Sequence, residues 1–229
     1  MLLTGTLQER DTYVPTGNIV NQLIGRPGMK SIEPTIKAND APPPRAAERI
    51  LQVARDLFYR QGIRAIGVDE IVRRAGVTKP SLYRSFPSKD ELAASYLRHY
   101  DLEFWERFDE AVNAHPGDPR AQIVAFLTRV GKRTQRPDYR GCGMTNAAVE
   151  YPEHGHPARV VSEANKQELR RRLRAMAAEM GAGDADTLGD GLLLLIEGAY
   201  ISGQLFGVGG PAKSVARNAD LLIEASLKK

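Results

Sequence analysis

A single cysteine, Cys142, occurs among 229 residues, so no internal disulfide can form and a reducing compartment is the simpler expectation. Residues 1–10 carry polar and charged groups too early for the apolar stretch of a secretory leader. Long hydrophobic runs are scarce as well. The most apolar one, Leu192–Ile196, is closed by Asp190 and Glu197, far short of the roughly 20 residues that cross a bilayer. A cytoplasmic protein without a membrane partner is expected. There is no phosphate-cradling glycine loop, nucleophile elbow or zinc-protease helix signature, so nothing calls for an enzyme or a cofactor. Nor is there an alternating apolar–polar stretch of convincing length, which leaves an all-α fold.

What is present is an ordinary globular composition, 42% hydrophobic and 26% charged, with a net charge of only +4. That charge is unevenly placed. Between Arg45 and Asp90 ten basic residues stand against five acidic ones, which leaves the remainder slightly acidic. A local basic excess suits one module that docks on phosphates while the rest does something else.

Residues 1–44 lack sustained periodicity and end in Ala41-Pro42-Pro43-Pro44, which favours polyproline-like extension. They read as a disordered tail in which Met29 is an alternative start. Its Lys30 and Lys37, with Arg45, are basic groups able to meet DNA. From Arg45 the pattern turns helical. Ile50, Val53, Ala54, Leu57 and Phe58 define an amphipathic helix ending near Gly62. A second, short helix carries Val68, Ile71, Val72 and Ala75. A turn at Gly76-Val77 leads to a third, with Leu82 and Phe86 facing inward.

Ser88-Lys89-Asp90-Glu91 is a capping box opening a fourth helix, apolar at Leu92, Tyr96, Leu97, Tyr100, Phe104 and Phe108. Its length makes it a connector between two modules. Asp118-Pro119 starts a fifth helix with core positions Ile123, Phe126, Leu127 and Val130. Gly141–Glu150 reads as a short helix. Pro157–Met180 reads as a long one, apolar at Val160, Val161, Leu169, Leu173 and Met176 and stopped at Gly181. Two helices, Ala185–Phe206 and Ala212–Leu227, finish the chain.

Two short helices joined through Gly76 describe a helix-turn-helix. Thr78 is placed to cap the second of them, and Pro80 is tolerated because first-turn amides have no intrahelical partner. With Leu82 and Phe86 inward, Lys79, Pro80, Ser81, Tyr83 and Arg84 project outward, enough to fill a DNA major groove. Lys89 is anomalous. A cation in a first turn opposes the helix dipole by roughly 0.3–1 kcal/mol, and a phosphate bound there reverses that penalty. An exposed lysine of no consequence is the plainer alternative.

The run Phe58-Tyr59-Arg60-Gln61-Gly62, then Val68 to Val77, then Ser81-Leu82-Tyr83-Arg84-Ser85-Phe86 and Ser88-Lys89-Asp90-Glu91-Leu92 resembles the amino-terminal domain of TetR-type regulators. The resemblance covers Arg45 to about Tyr96. It implies a three-helix DNA-binding domain whose third helix enters the major groove, and a larger helical domain that dimerises and binds a small effector. By the same resemblance Tyr83 and Lys89 match residues that touch the DNA backbone, while Thr78, Lys79, Ser81 and Arg84 match the variable recognition surface. The chain departs from the pattern at Gly67, where Ser or Thr often caps, at Pro80, where glycine is common, and at Ser85, where histidine is common.

The carboxy-terminal half resembles the family only loosely. Tyr100, Phe104, Trp105, Phe126, Met144 and Tyr200 offer an aromatic and soft apolar lining for a ligand pocket, and Asn146, Glu150 and Glu197 its polar groups. Ordinary core packing is the alternative for each. Asp190, Glu197 and Gln204 recur every seven residues and share a helix face, to line a pocket, pair across a dimer seam or form a salt-bridged stripe. Glu153, His154, His156 and Cys142 fit no closed zinc spacing, so no metal is expected. The last two helices carry more apolar surface than one bundle face needs, which points to a homodimer.

The expectation is thus an all-α chain with a tail at 1–44, a DNA-binding domain at 45–92 and an effector-binding, dimerising domain at 93–229. Its partners would be a pseudo-palindromic operator and an apolar or aromatic ligand that releases a repressor. A helical small-molecule binder or enzyme without operator control, or a basic protein of membrane surfaces, are the rival readings.

Overall fold

The computed structural model describes residues 45–227; the tail expected at 1–44, with Lys30 and Lys37, lies outside them. Among the described residues there are nine α-helices and no strand. The first, α1 (Ala46–Gln61), buries Ile50, Ala54, Leu57 and Phe58, and ends where Gly62 takes a positive φ of 91°. In α2 (Val68–Ala75) the acids Asp69 and Glu70 stand in the first turn and Arg73 and Arg74 in the last, the arrangement that the helix dipole favours. Gly76 closes it in the left-handed region. The Val77 amide then reaches Val72 O (3.1 Å), a Schellman stop that sets the turn into α3 (Lys79–Ser85). Thr78 caps α3 through its hydroxyl, which accepts from the Ser81 amide at 3.4 Å. Leu82 is fully buried; Phe86, at the C-cap, is only half-buried against the core.

The connector is α4 (Lys89–Asn113), with Leu92, Tyr96, Leu97, Tyr100, Phe104 and Phe108 all buried. Ser88 accepts from the Glu91 amide (3.1 Å), the first half of the expected capping box, while the Glu91 carboxylate lies 4.0 Å from Arg98. Next come α5 (Pro119–Thr134), capped by Asp118, and α6 (Gly143–Glu150). They are followed by α7 (Pro157–Glu179) and α8 (Ala185–Phe206). The last expected helix is split: a 3-10 turn, Pro211–Ser214, precedes α9 (Val215–Leu227).

One apolar core runs from α1 through α4 into α5, α7, α8 and α9. A second departure from expectation falls in α7. Val160 is half exposed (50%), because the buried stripe there passes through Ala158, Ser162 and Asn165 before reaching Leu169 and Leu173. Small and polar residues let α7 pack closely. Further along, Gly189 of α8 lies so near the α7 backbone that a Cβ would fall 2.7 Å from Arg174 Cα.

Candidate nucleic-acid interface and adjoining groove

The outer face of α3 presents Lys79, Pro80, Tyr83 and Arg84 to solvent, with Thr78 exposed at its cap and Ser81 half-buried. Lys79 is engaged within the fold: its ammonium lies 2.7 Å from the Asp69 carboxylate, whose hydrogen bond and charge hold its pKa above the usual lysine value. Among the described residues Arg84 has no ion-pair partner, so its guanidinium is free for an anion or a base edge. Arg45 is exposed at the start of α1, its amide donating to Glu48 (3.1 Å).

Lys89 is half-buried at the head of α4 and donates to the Arg64 carbonyl at 3.3 Å. Burial pushes its pKa below the usual lysine range. A desolvated ammonium beside free first-turn amides gains more from a phosphate than a fully hydrated one would.

The same corner is tied to the helical body. The Glu150 carboxylate, at the last residue of α6, accepts from the Arg64 amide at 2.7 Å, and the Glu150 carbonyl accepts from the Arg64 guanidinium at 3.1 Å. A Cβ on Gly62 would lie 3.1 Å from that carboxylate, so glycine there makes the approach possible. Tyr151 stacks on His156 (3.7 Å), and His156 lies 3.4 Å from Asp90 of α4. Glu150 is thus a clasp between α6 and the α1–α2 loop.

The groove lies on the far side of α6. It measures about 480 Å³ and is lined from α6 by Met144, Thr145 and Ala148, from α7 by Ser162, Lys166 and Gln167, and from α8 by Leu193 and Glu197. His154 and Glu163 stand together in its lining at 2.6 Å. Its polar point is an ion pair: Lys166 donates to Glu197 (2.6 Å), which also accepts from the Thr145 hydroxyl (2.7 Å). On its inner side the same ammonium lies 3.5 Å from Cys142 Sγ and 5.2 Å from the Tyr200 ring centre.

Of the nine residues expected around a ligand, Met144 and Glu197 line this groove. Phe104, Trp105 and Phe126 do not; they form an edge-to-face cluster with Phe108 at 5.0–5.9 Å between α4 and α5, with the Arg172 guanidinium 4.1 Å above the Trp105 ring. Tyr100 and Tyr200 are buried deeper, and burial raises both phenol pKa values. Asn146 bridges Arg140 O (2.7 Å) and Gln204 (3.3 Å). The seven-residue repeat on α8 is an internal seam: Asp190 accepts from Arg170 and Arg174, Glu197 from Lys166, and Gln204 donates to Asn146. The sequence reading does not single out the α7 residues Ser162, Lys166 and Gln167; of these only Ser162 lies on the buried stripe of α7, where a polar residue is the one signal.

Three short helices with an exposed, basic third one, joined by a long helix to a larger helical body with a groove, define a helix-turn-helix DNA-binding protein. The family profile described as "Bacterial regulatory proteins, tetR family" matches residues 50–96. The activator FasR of Mycolicibacterium smegmatis is 42% identical over 66 residues, 28% of this chain and 30% of FasR. The repressor KstR2 of Rhodococcus jostii is 34% identical over 79 residues, 34% of this chain and 38% of KstR2. These stretches span well under half of either curated relative. A longer likeness is to SCO4454, a TetR-family transcriptional regulator from Streptomyces coelicolor: 31% identity over 80% of this chain and 94% of that one, with a TM-score of 0.71. The chain belongs to the TetR family of helix-turn-helix transcriptional regulators.

Proposed function

We propose that this regulator is a homodimeric repressor that binds a pseudo-palindromic operator and is released from it by a small apolar or aromatic ligand. In this reading residues 45–92 bind DNA and 93–229 bind the ligand and the second protomer. Thr78, Lys79, Pro80, Ser81 and Arg84 meet base edges, whereas Arg45, Tyr83 and Lys89 meet the backbone. Lys79 exchanges Asp69 for DNA on docking, which makes its contribution a difference between two pairings and not a full new contact.

The ligand occupies the groove of Met144, Thr145, Ala148, Leu193 and Glu197. One observation carries the coupling. The helix that lines the groove, α6, is the helix whose last residue holds the Arg64 backbone. A ligand that displaces α6 must strain or break that hold, so ligand and operator affinities are linked reciprocally. The opposite sign, ligand-promoted binding, is the corepressor case of the same linkage.

The test has two stages. Duplexes selected from random sequence are expected to share a palindromic core and to bind two protomers, as followed by fluorescence anisotropy. Hydrophobic compounds that raise the melting temperature are then added to the complex. If every stabilising compound leaves operator affinity unchanged, the chain is a DNA binder without this switch.

A further inference from the structure

The groove between α6, α7 and α8 carries a hydrogen-bonding surplus of one kind. Lys166 is spent inward: its ammonium donates to Glu197 Oε1 (2.6 Å) and to Cys142 Sγ (3.5 Å) and faces the Tyr200 ring at 5.2 Å, so its three N–H groups are matched by three acceptors. Burial acts to lower its pKa, but Cys142 and Glu197 hold it above the usual lysine value, so the ammonium stays charged. The hydroxyl donors are spent too. Thr145 donates to Glu197 Oε2 (2.7 Å), and Ser162 donates to the Ala158 carbonyl of its own helix (3.1 Å).

Glu197 is the opposite case. A carboxylate accepts about four hydrogen bonds, and Lys166 and Thr145 each supply only one. Its side chain keeps 27% of its surface exposed, in a lining it shares with Met144, Ala148 and Leu193. A purely apolar ligand seated on those side chains would strip water from the carboxylate and return no donor, which weakens binding. A ligand anion would face Glu197 while Lys166 is already engaged. A ligand ammonium would crowd the Lys166 ammonium on the same carboxylate. A neutral hydroxyl avoids both: it donates one bond to the carboxylate and adds no charge.

We propose that this groove selects a small apolar or aromatic molecule carrying a neutral hydroxyl, a phenol or an alcohol, which donates to the Glu197 carboxylate. This rests on the reading of the chain as a ligand-controlled regulator and narrows its ligand from apolar molecules in general to hydrogen-bond donors. The bond also bears on the switch. Thr145 and Asn146 tie α6 to α8 through Glu197 and Gln204, and a hydroxyl on Oε2 competes with Thr145 for its place.

The experiment titrates the full chain, by calorimetry at neutral pH, with 4-ethylphenol, 4-ethylanisole, sodium 4-ethylbenzoate and 4-ethylbenzylammonium chloride, which share one apolar body. The phenol is expected to bind about tenfold or more tightly than each of the others. Ala148→Trp, which fills the groove from a half-buried position on α6, is expected to abolish that binding. Glu197→Gln is expected to remove most of the phenol's advantage over the anisole and to make the benzoate the tightest ligand, because Lys166 then lacks its carboxylate. A change of rank cannot come from a merely weakened fold, and the wild-type ranking stands as a test even where that variant does not fold. Absence of phenol binding, an anisole, benzoate or ammonium that matches the phenol, binding that survives Ala148→Trp, or an unchanged ranking in a folded Glu197→Gln variant would each overturn the proposal. Operator affinity is measured with each compound. Phenol binding through Glu197 that leaves the operator complex intact sinks the regulator reading but keeps the site, while release by the anisole alone keeps that reading and sinks the donor requirement.

Discussion

The outer face of α8 supports a quantitative prediction about assembly. Leu192 and Ile196 are buried within the protomer, whereas Leu194, Ile201 and Leu205 on the opposite side are exposed at 72%, 52% and 71%. Their spacing of seven and four residues puts them on one stripe. Leu221 of α9 is exposed as well, and Ile223 of that helix is buried. Covering about seven-tenths of a leucine is worth about 1–2 kcal/mol. A two-fold interface counts each side chain twice, so Leu194→Ala is expected to weaken self-association by about 2–4 kcal/mol, roughly 30- to 1,000-fold in dissociation constant. Sedimentation equilibrium across a concentration series measures it, with circular dichroism to show that the helices persist. Leu102→Ala, an exposed leucine on α4, serves as the control and should leave the constant unchanged. A wild-type chain that stays monomeric at micromolar concentration would refute the reasoning, as would a dimer indifferent to Leu194→Ala and Leu205→Ala combined.

Three further outcomes are expected. Lys89→Ala should weaken binding to all duplexes alike and reduce the salt slope by about 0.9 per protomer, whereas Arg84→Ala should change the ranking among duplexes; a Lys89 variant with altered ranking and an intact slope would reverse those roles. Glu150→Gln keeps the shape of the α6 clasp but removes the charge from its bond to Arg64, worth about 1 kcal/mol at this half-exposed position; ligand affinity should hold while the ligand's effect on operator affinity shrinks by several-fold, and an unchanged effect would remove α6 from the coupling. Arg170 and Arg174 hold the Asp190 carboxyl below its usual range, so its contribution to the α7–α8 seam is present at neutral pH and lost as pH falls through that depressed value. Asp190→Asn should therefore flatten the acid limb of a melting-temperature profile; identical acid limbs in the two proteins would show that other carboxylates control it.

The amino-terminal module was legible because its determinants are local. Thr78, Ser88 and Asp118 each cap the helix that follows within three residues, and Gly62 and Gly76 stop helices where positive φ is needed. The lining of the α6–α7–α8 groove was not, because its determinants are distant in the chain. Phe104 and Phe126 have the same spacing and polarity whether they line a pocket or pack on each other; only the register of α4 against α5 sets them 5.9 Å apart. Lys166 meets Glu197 across 31 residues, and Tyr139 meets Gly203 across an entire α7. Glu150 reads in the sequence as a pocket acid, but its carboxylate accepts from a backbone amide, and no side-chain pattern announces a backbone amide.

Helix α4 contains neither glycine nor proline in its 25 residues, and one end belongs to the DNA-reading corner while the other lies among the aromatics of the body. It therefore has no built-in hinge and behaves as a rod roughly 37 Å long. Rods multiply small rotations: a tilt of about 5° about one end carries the other through about 3 Å, and two such rods related by a dyad change their separation by about 6 Å. Successive major grooves on one DNA face repeat at about 34 Å. In the proposed dimer, the leverage of this helix would convert a displacement no larger than a rotamer change in the body into a misfit that two recognition helices cannot share.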